Sequence, residues 1–286
     1  IVAIGSPYNE DSGINSGQVR VYSWDGSSWN QLGQDIEGEG GGDASGFSVS
    51  MSGDGNIVAI GANGNDGNGQ DAGHVRIYEN IGGFWSQVGQ DIDGEATYDA
   101  VFGMPASLSS DGNIVAIGAN GNDENGSNSG HVRVYRWDGS SWNQLGQDID
   151  GENSDDASGS TVSISSDGNI VAIGAPYNDG NGQMSGHVRV FNWDGASWNQ
   201  LGQDIDGEAS GDYSGYYNFL SISNEGNRVA IVLDGAQQGG MPHRRFQGRT
   251  GKIMGSQGRA FIVSVKDGNM LKTVVARPEH LRPIEG

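Results

Sequence analysis

The string Ile-Val-Ala-Ile-Gly begins at Ile1, Ile57, Ile114 and Ile170, and a variant, Arg-Val-Ala-Ile-Val, begins at Arg228. The intervals are 56, 57, 56 and 58 residues. Such a period marks an array of like units, each too small to bury its apolar face alone and so stacked on its neighbours. Every unit carries the same cues. Residues 114–119 are a short apolar run. Residues 130–137 alternate, with Val132, Val134 and the stem of Arg136 opposite His131, Arg133 and Tyr135. Asp138-Gly139-Ser140-Ser141 supplies a turn and 142–149 returns, after which 160–164 leads through Ser166-Asp167-Gly168-Asn169 into the next unit. Apolar alternation bounded by Asp-Gly turns is a hairpin signal. Four short strands per unit and no helical period predict an all-β chain whose first part is a β-propeller of four blade-sized units, incomplete as a ring. The strand at 216–223 would either close a four-bladed ring onto residues 1–4 or leave a sheet edge open.

Charge divides the chain. Residues 1–224 hold 5 Arg against 31 acidic residues, a net of −26, and residues 225–286 hold 10 Lys and Arg against 5, a net of +5. Two modules with different partners are expected: an acidic repeat domain at 1–224, with units starting at 1, 57, 114 and 170, and a basic domain at 225–286. The acidic part repels phosphate backbones and the basic part attracts them. The longest apolar runs are hexamers, so no helix is expected to span a membrane. With no Cys there is neither a disulfide framework nor a thiolate metal site. The chain opens at Ile1 without a leader-like stretch and reads as a fragment.

Three features of the repeat invite chemistry, and each has a plainer reading. Alternating carboxylates (Asp91, Asp93 and Glu95; Asp148, Asp150 and Glu152; Asp204, Asp206 and Glu208) could coordinate a hard cation, or could simply face water at a strand end. The pairs Trp24/Trp29, Trp137/Trp142 and Trp193/Trp198 flank the Asp-Gly turn, where they could form a stacking platform for sugars or an ordinary cross-strand contact. Asn125-Gly126-Ser127 fits a glycosylation acceptor if the chain is secreted. His74, His131 and His187 recur at one place in successive units, which speaks for packing rather than for a single catalytic centre. With no nucleophile elbow, phosphate loop or His-based metal pair, the chain is not expected to be an enzyme. No cofactor is expected, calcium being the one ion the repeats could take.

The triplets Gly5-Ser6-Pro7, Gly61-Ala62-Asn63 and Gly174-Ala175-Pro176, with the pair Phe102-Gly103, resemble FG-GAP repeats, which build the propeller of integrin α-chains and many surface proteins. The resemblance implies a propeller for protein or glycan binding. It also implies a calcium loop at Ser107-Leu108-Ser109-Ser110-Asp111-Gly112-Asn113-Ile114, where serines replace the family's acids.

Past Val232 the repeat is abandoned. Gly240-Met241-Pro242-His243, Gly248-Arg249-Thr250-Gly251 and Arg277-Pro278-Glu279-His280-Leu281 are similar, in order and spacing, to the archaeal and eukaryotic large-subunit ribosomal protein L twenty-one (the L-twenty-one-e family). Strands are predicted at 228–233, 251–254, 260–266 and 271–276, a content that suits a small SH3-like barrel. The resemblance implies a structural constituent of the large ribosomal subunit that binds ribosomal RNA in the cytoplasm. Phosphate or base contacts would fall to His243, Arg244, Arg245, Phe246, Arg249, Lys252, Arg259, Lys272, Arg277 and Arg282. The alternative is a cell-surface or secreted propeller carrying a chimeric tail. The seam at 224–232, Asn-Glu-Gly-Asn-Arg-Val-Ala-Ile-Val, reads as either family, so the two parts are expected to fold independently.

Overall fold

The computed structural model describes residues 1–95, 103, 105–216, 220–222, 229–231, 251–257, 260–267 and 270–276, with backbone alone from 229 onward. These residues form strands and turns, with no helix among them. Unit 1 contributes β1 (Val2–Ser6), β2 (Gln18–Trp24), β3 (Trp29–Gln31) and β4 (Ile36–Glu37). Unit 2 contributes β5 (Ser48–Met51), β6 (Ile57–Ala62), β7 (His74–Ile81), β8 (Phe84–Gln87) and β9 (Ile92–Asp93). Unit 3 runs through β10 (Ala106–Leu108), β11 (Ile114–Ala119), β12 (His131–Trp137), β13 (Trp142–Gln144) and β14 (Ile149–Asp150). Unit 4 follows with β15 (Thr161–Ile164), β16 (Ile170–Ala175), β17 (His187–Trp193), β18 (Trp198–Gln200) and β19 (Ile205–Asp206).

Each unit is one antiparallel meander, ordered β5-β6-β7-β8 in unit 2, with β9 added beside β7. The return after the Trp-flanked turn therefore breaks into two pieces rather than one strand, and units 2 to 4 hold five strands instead of four. Both pieces lie against the long third strand: Val132 pairs with Ile149 and Trp137 with Trp142.

The core lies between units, not within them. One cluster joins Val19, Val21 and Ile36 of unit 1 to Val58, Ile60, Tyr78 and Trp85 of unit 2. A second joins Val75 and Ile77 to Val115, Ile117 and Trp142, and a third joins Val132 and Val134 to Val171, Ile173 and Trp198. Because each middle sheet has a neighbour on both sides, its long strands are buried on both faces. His131 through Tyr135 are all buried, so the one-sided alternation expected for 130–137 does not hold. A serine ladder reinforces the stacking: the Leu108, Ile164 and Ile222 amides donate to Ser50, Ser107 and Ser163 Oγ at 2.9, 3.2 and 3.0 Å.

The glycine that ends the repeated string has its reason here. A β-carbon on Gly61 would strike the Gly103 carbonyl, and the same clash recurs at Gly118 with Gly159 and Gly174 with Gly215. Backbones of adjoining segments pass too closely there for any side chain.

After unit 4, β20 (Leu220–Ile222) packs on Ala172, Val188 and Val190 and pairs with β21 (Val229–Ile231). It therefore does not close a ring onto residues 1–4. Ile4 is 48 % exposed, whereas Ile60, Ile117 and Ile173 in the same place are at most 1 % exposed. The edge reading is the one observed. In the tail, β22 (Gly251–Gln257), β23 (Ala260–Asp267) and β24 (Met270–Ala276) form a three-stranded antiparallel sheet, with a register shift between Ile253 and Gly255. Among the described residues the tail shows this sheet and no closed SH3-like barrel. No helix among them is long and apolar enough to cross a membrane.

Candidate functional site

The polar groups of the repeats gather at the seams between units. In unit 2, Arg76 reaches back to unit 1, its Nη2 donating to the Glu37 carbonyl at 2.9 Å and its Nη1 lying 3.4 Å from Glu39. Arg133 repeats this with the Asp93 carbonyl and Glu95 at 3.4 and 2.9 Å, and Arg189 with the Asp150 carbonyl and Glu152 at 2.5 and 3.7 Å. Each guanidinium also lies over the ring of Tyr78, Tyr135 or Phe191. These Arg are buried because β7, β12 and β17 are covered on both faces, so the charge needs a partner from the preceding unit.

Beside each Arg is one of the recurring His. His74, His131 and His187 are fully buried, with Nδ1 at 3.9, 3.7 and 3.8 Å from Asp91, Asp148 and Asp204. Three sets of ligand-type atoms result: Glu39, His74 and Asp91; Glu95, Glu124, His131 and Asp148; Glu152, His187 and Asp204. The carboxylates expected to act together are thus divided. Asp91 and Asp148 face their own unit's His, while Glu95 and Glu152 turn to the next unit's Arg and His. Asp93 and Asp150 give Arg their backbone carbonyls. The spacing in sequence put three acids on one segment, but β9 spans only Ile92–Asp93, so Asp91 before it and Glu95 after it reach different seams.

Chemically each set is a His with a carboxylate beside a guanidinium. An imidazole–carboxylate set suits a borderline transition metal better than calcium. The Arg already supplies a positive charge next to the same Glu. In unit 1 Gln18 stands where the His do, its Nε2 donating to Asp35 and Glu37 at 3.1 and 3.0 Å. The loop proposed for calcium is closed by its own side chains: Ser109 Oγ donates to Asp111 at 2.6 Å and accepts from the Ile114 amide at 3.0 Å.

Burial first, and Arg76 next, hold the His74 pKa down to about 4, against the pull of Asp91 and Asp43; burial and then Arg189 lower His187 likewise. Burial also pushes the Tyr135 hydroxyl up to about 12. Below the unfolded value of 6.5 the unfolded chain takes up a proton that folded His74 refuses. Stability is therefore complete above that pH and falls as pH drops toward about 4, by roughly 3 kcal/mol for this one group. The charged groups facing it are Asp91, Glu39, Arg76 and Asp43. Thermal melts between these pH values are expected to show the loss, and His74→Gln to flatten it, since Gln18 already fills the equivalent place. An unchanged slope in the variant would refute the assignment. Asp54, Asp111 and Asp167, lowered by hydrogen bonds from neighbouring Ser and Asn, give up their contribution only below the usual carboxylate value of 3.8.

The tryptophan pairs do meet across the turn, with centroids 5.4 to 5.5 Å apart. In units 3 and 4, however, the second Trp is not a platform. Trp142 and Trp198 are each 4 % exposed, as is Trp85 of unit 2. The indole Nε1 of each donates to a carbonyl of the preceding unit: Trp85 to Leu32 at 2.7 Å, Trp142 to Val88 at 2.9 Å, Trp198 to Leu145 at 2.8 Å. Gln34, Gln90 and Gln147 clip the same Trp backbone through both amide atoms. Sequence reasoning passed over these Gln, although their recurrence at the repeat interval was the available signal. The Asn125 side chain donates to the Gly151 carbonyl at 2.6 Å, as Asn68 and Asn181 do to Gly94 and Gly207, so the glycosylation motif coincides with a repeated structural tie.

A hollow of about 570 Å³ at the seam of units 3 and 4 is lined by Asn128, Asp155, Asp156, Tyr177, Gln183 and Met184 among others. Of its left-handed residues, Asn128 and Met184 have counterparts at Asn15 and Asp71, Ala157 at Ala44 and Tyr213, and Asp155 at Gly42 and Gly211. That conformation belongs to the repeat rather than to this hollow. Of the residues expected to contact RNA, Lys252 lies on β22 and Lys272 on β24. His243, Arg244, Arg245, Phe246, Arg249, Arg259, Arg277 and Arg282 lie outside the described residues.

Comparison with known proteins matches two families. The family described as ribosomal protein L21e matches residues 210–286, and the FG-GAP repeat family matches residues 149–191. The large ribosomal subunit protein eL21 of Archaeoglobus fulgidus is 53 % identical over 68 residues, 24 % of this chain and 70 % of that protein. The eL21 proteins of Methanocorpusculum labreanum and Methanospirillum hungatei are 55 % and 54 % identical, each over 20 % of this chain and 59 % of their own length. Among solved structures, the periplasmic gluconolactonase PpgL of Pseudomonas aeruginosa aligns over 96 % of this chain and 95 % of its own, with 16 % identity and a TM-score of 0.43. The β-propeller domain of the Trilobed protease from Pyrococcus furiosus aligns over 90 % and 62 %, with 7 % identity and a TM-score of 0.43. The expectation that the chain is not an enzyme is corrected by the first of these, which is named as one. At this degree of likeness no activity passes to the chain, but the lack of a familiar motif is no ground for denying one.

Proposed function

We propose, from the premise that the chain belongs to the ribosomal protein L21e family through its C-terminal segment, that residues 225–286 bind ribosomal RNA as part of the large ribosomal subunit. The observation that carries this reading is the 53 % identity to an archaeal eL21 over 70 % of that protein's length. His243, Arg244, Arg245, Phe246, Arg249, Lys252, Arg259, Lys272, Arg277 and Arg282 are the proposed contacts: guanidinium and ammonium groups pair with phosphates, while His243 and Phe246 stack on splayed bases. The tail would close as an SH3-like barrel around the three-stranded sheet, and its compartment would be the cytoplasmic ribosome.

Residues 1–224 are proposed to form a separate β-propeller-type interaction module, as the FG-GAP match running from the end of unit 3 into unit 4 supports. Their net charge of −26 keeps them off RNA, so they would project from the subunit and present their seams to another macromolecule. The test is co-sedimentation of the 286-residue chain with purified archaeal large subunits. Binding is expected at low salt and is expected to weaken markedly when Arg244, Arg245 and Arg249 are changed together to Gln. Retention of full binding by that variant, or no binding by the parent chain, would remove the reading.

A further inference from the structure

The ligand-type groups are not equal from seam to seam. The seam of units 1 and 2 and that of units 3 and 4 each hold three such residues, whereas the seam of units 2 and 3 holds four. These are Glu95 after β9, Glu124 in the loop between β11 and β12, His131 at the start of β12 and Asp148 ahead of β14. Their ligand atoms all lie within 4.8 Å of one another. The fourth residue is a departure from the repeat. Glu124 stands where units 2 and 4 have Gly67 and Gly180. In all three units the backbone amide at this place donates to an Asn side chain, Asn65, Asn122 or Asn178, at 2.8, 2.9 and 2.8 Å. Glycine meets that need in two units, so the loop requires no side chain there and the Glu124 carboxylate is surplus to the fold.

His131 supplies a second, independent observation. Its side chain is fully buried, with Nδ1 directed at Asp148 Oδ2 from 3.7 Å, too far for a hydrogen bond. Ligand atoms of one tetrahedral ion, each about 2.0–2.2 Å from it, lie about 3.3–3.6 Å apart. Gln144 donates to Asp148 Oδ1 and Arg133 donates to Glu95, outer bonds of the kind that fix a carboxylate ligand in place. Three carboxylates and one guanidinium sum to a formal charge of −2, which a divalent ion cancels.

We propose that the seam of units 2 and 3 binds one divalent transition ion of the zinc class through Glu95, Glu124, His131 and Asp148. One imidazole nitrogen with three carboxylate oxygens suits such an ion, whereas calcium takes about 6–8 oxygens. Unit 2 supplies one ligand and unit 3 the other three, so the ion ties the two units together and stabilises the folded array. The three-residue sets at the other seams, each with one carboxylate fewer, hold the ion more weakly. This inference does not depend on the tail's role.

The test is equilibrium dialysis of the metal-stripped full chain against zinc, with calcium as competitor. One zinc per chain is expected to bind more tightly than any other, and equimolar calcium is not expected to displace it. Glu124→Gly introduces the residue of units 2 and 4, and His131→Gln the residue that Gln18 supplies in unit 1, so both variants keep the fold, as circular dichroism checks. Each is expected to raise the dissociation constant for zinc by at least about tenfold. A parent chain that binds no zinc tightly overturns the proposal, and so does displacement by equimolar calcium. Tight binding that survives either substitution unchanged also overturns it, and would place the ion elsewhere, the tail histidines His243 and His280 included.

Discussion

Replacing Trp142 by Ala is expected to lower the stability of the repeat array by about 3–5 kcal/mol, whereas Trp29→Ala in the single chain costs under about 1 kcal/mol. The two residues occupy the same position of the same hairpin, each pairing with a Trp across the turn. They differ in what lies beneath. Trp142 is packed with Val75, Ile77 and Val115 and donates to the Val88 carbonyl, while Trp29 has solvent over more than half its surface. Truncating Trp142 leaves a cavity at the seam and strips the Val88 carbonyl of its donor, so both a packing and a desolvation loss apply. The measurement is denaturant unfolding followed by far-ultraviolet circular dichroism. If the tail folds by itself, two transitions are expected, and Trp142→Ala should move only the one belonging to the repeats. Equal shifts for Trp142→Ala and Trp29→Ala would mean that the seams do not hold the array together.

The second large effect is the salt dependence of binding to the large subunit. Ten proposed contacts, eight of them Arg or Lys, replace counterions on a phosphate backbone. For a protein making about 6–10 such contacts, affinity falls by about 10³–10⁵ between 50 and 200 mM salt. Changing Arg244, Arg245 and Arg249 to Gln should flatten the log–log slope by about three. His243→Ala and Phe246→Ala should instead weaken binding at every salt concentration alike, because stacking releases no counterions. A slope near zero for the parent chain would show that the acidic repeats, and not the tail, make the contact.

Much of the architecture could be read before any coordinates. A string recurring every 56 to 58 residues, Asp-Gly turns and alternating Val and Ile point to stacked antiparallel hairpins, and the strands fall where those cues place them except that each return divides in two. The glycine ending each string was legible as a motif, but its cause was not. Gly61 is needed because the Gly103 carbonyl of an adjoining segment passes against it, a contact between residues 42 positions apart. The tail was legible for another reason: its basic motifs keep the order and spacing of a single family, so identity could be read from words rather than from folding.

The seam chemistry escaped the sequence. Asp91 and Glu95 are four residues apart, yet one faces His74 of its own unit and the other Arg133 of the next. His74 looked like an ordinary strand residue, and its depressed pKa comes from burial beneath a neighbouring sheet. Period, turn and strand are local properties set by φ/ψ preference and the alternation of side chains, so the sequence determines them unaided. Burial and charge pairing depend on which units stand on either side. Trp29 and Trp142 share one local pattern, and only the tertiary structure decides that one is core and the other surface, because hydrophobic stabilisation counts the area removed from water and not the residue that carries it.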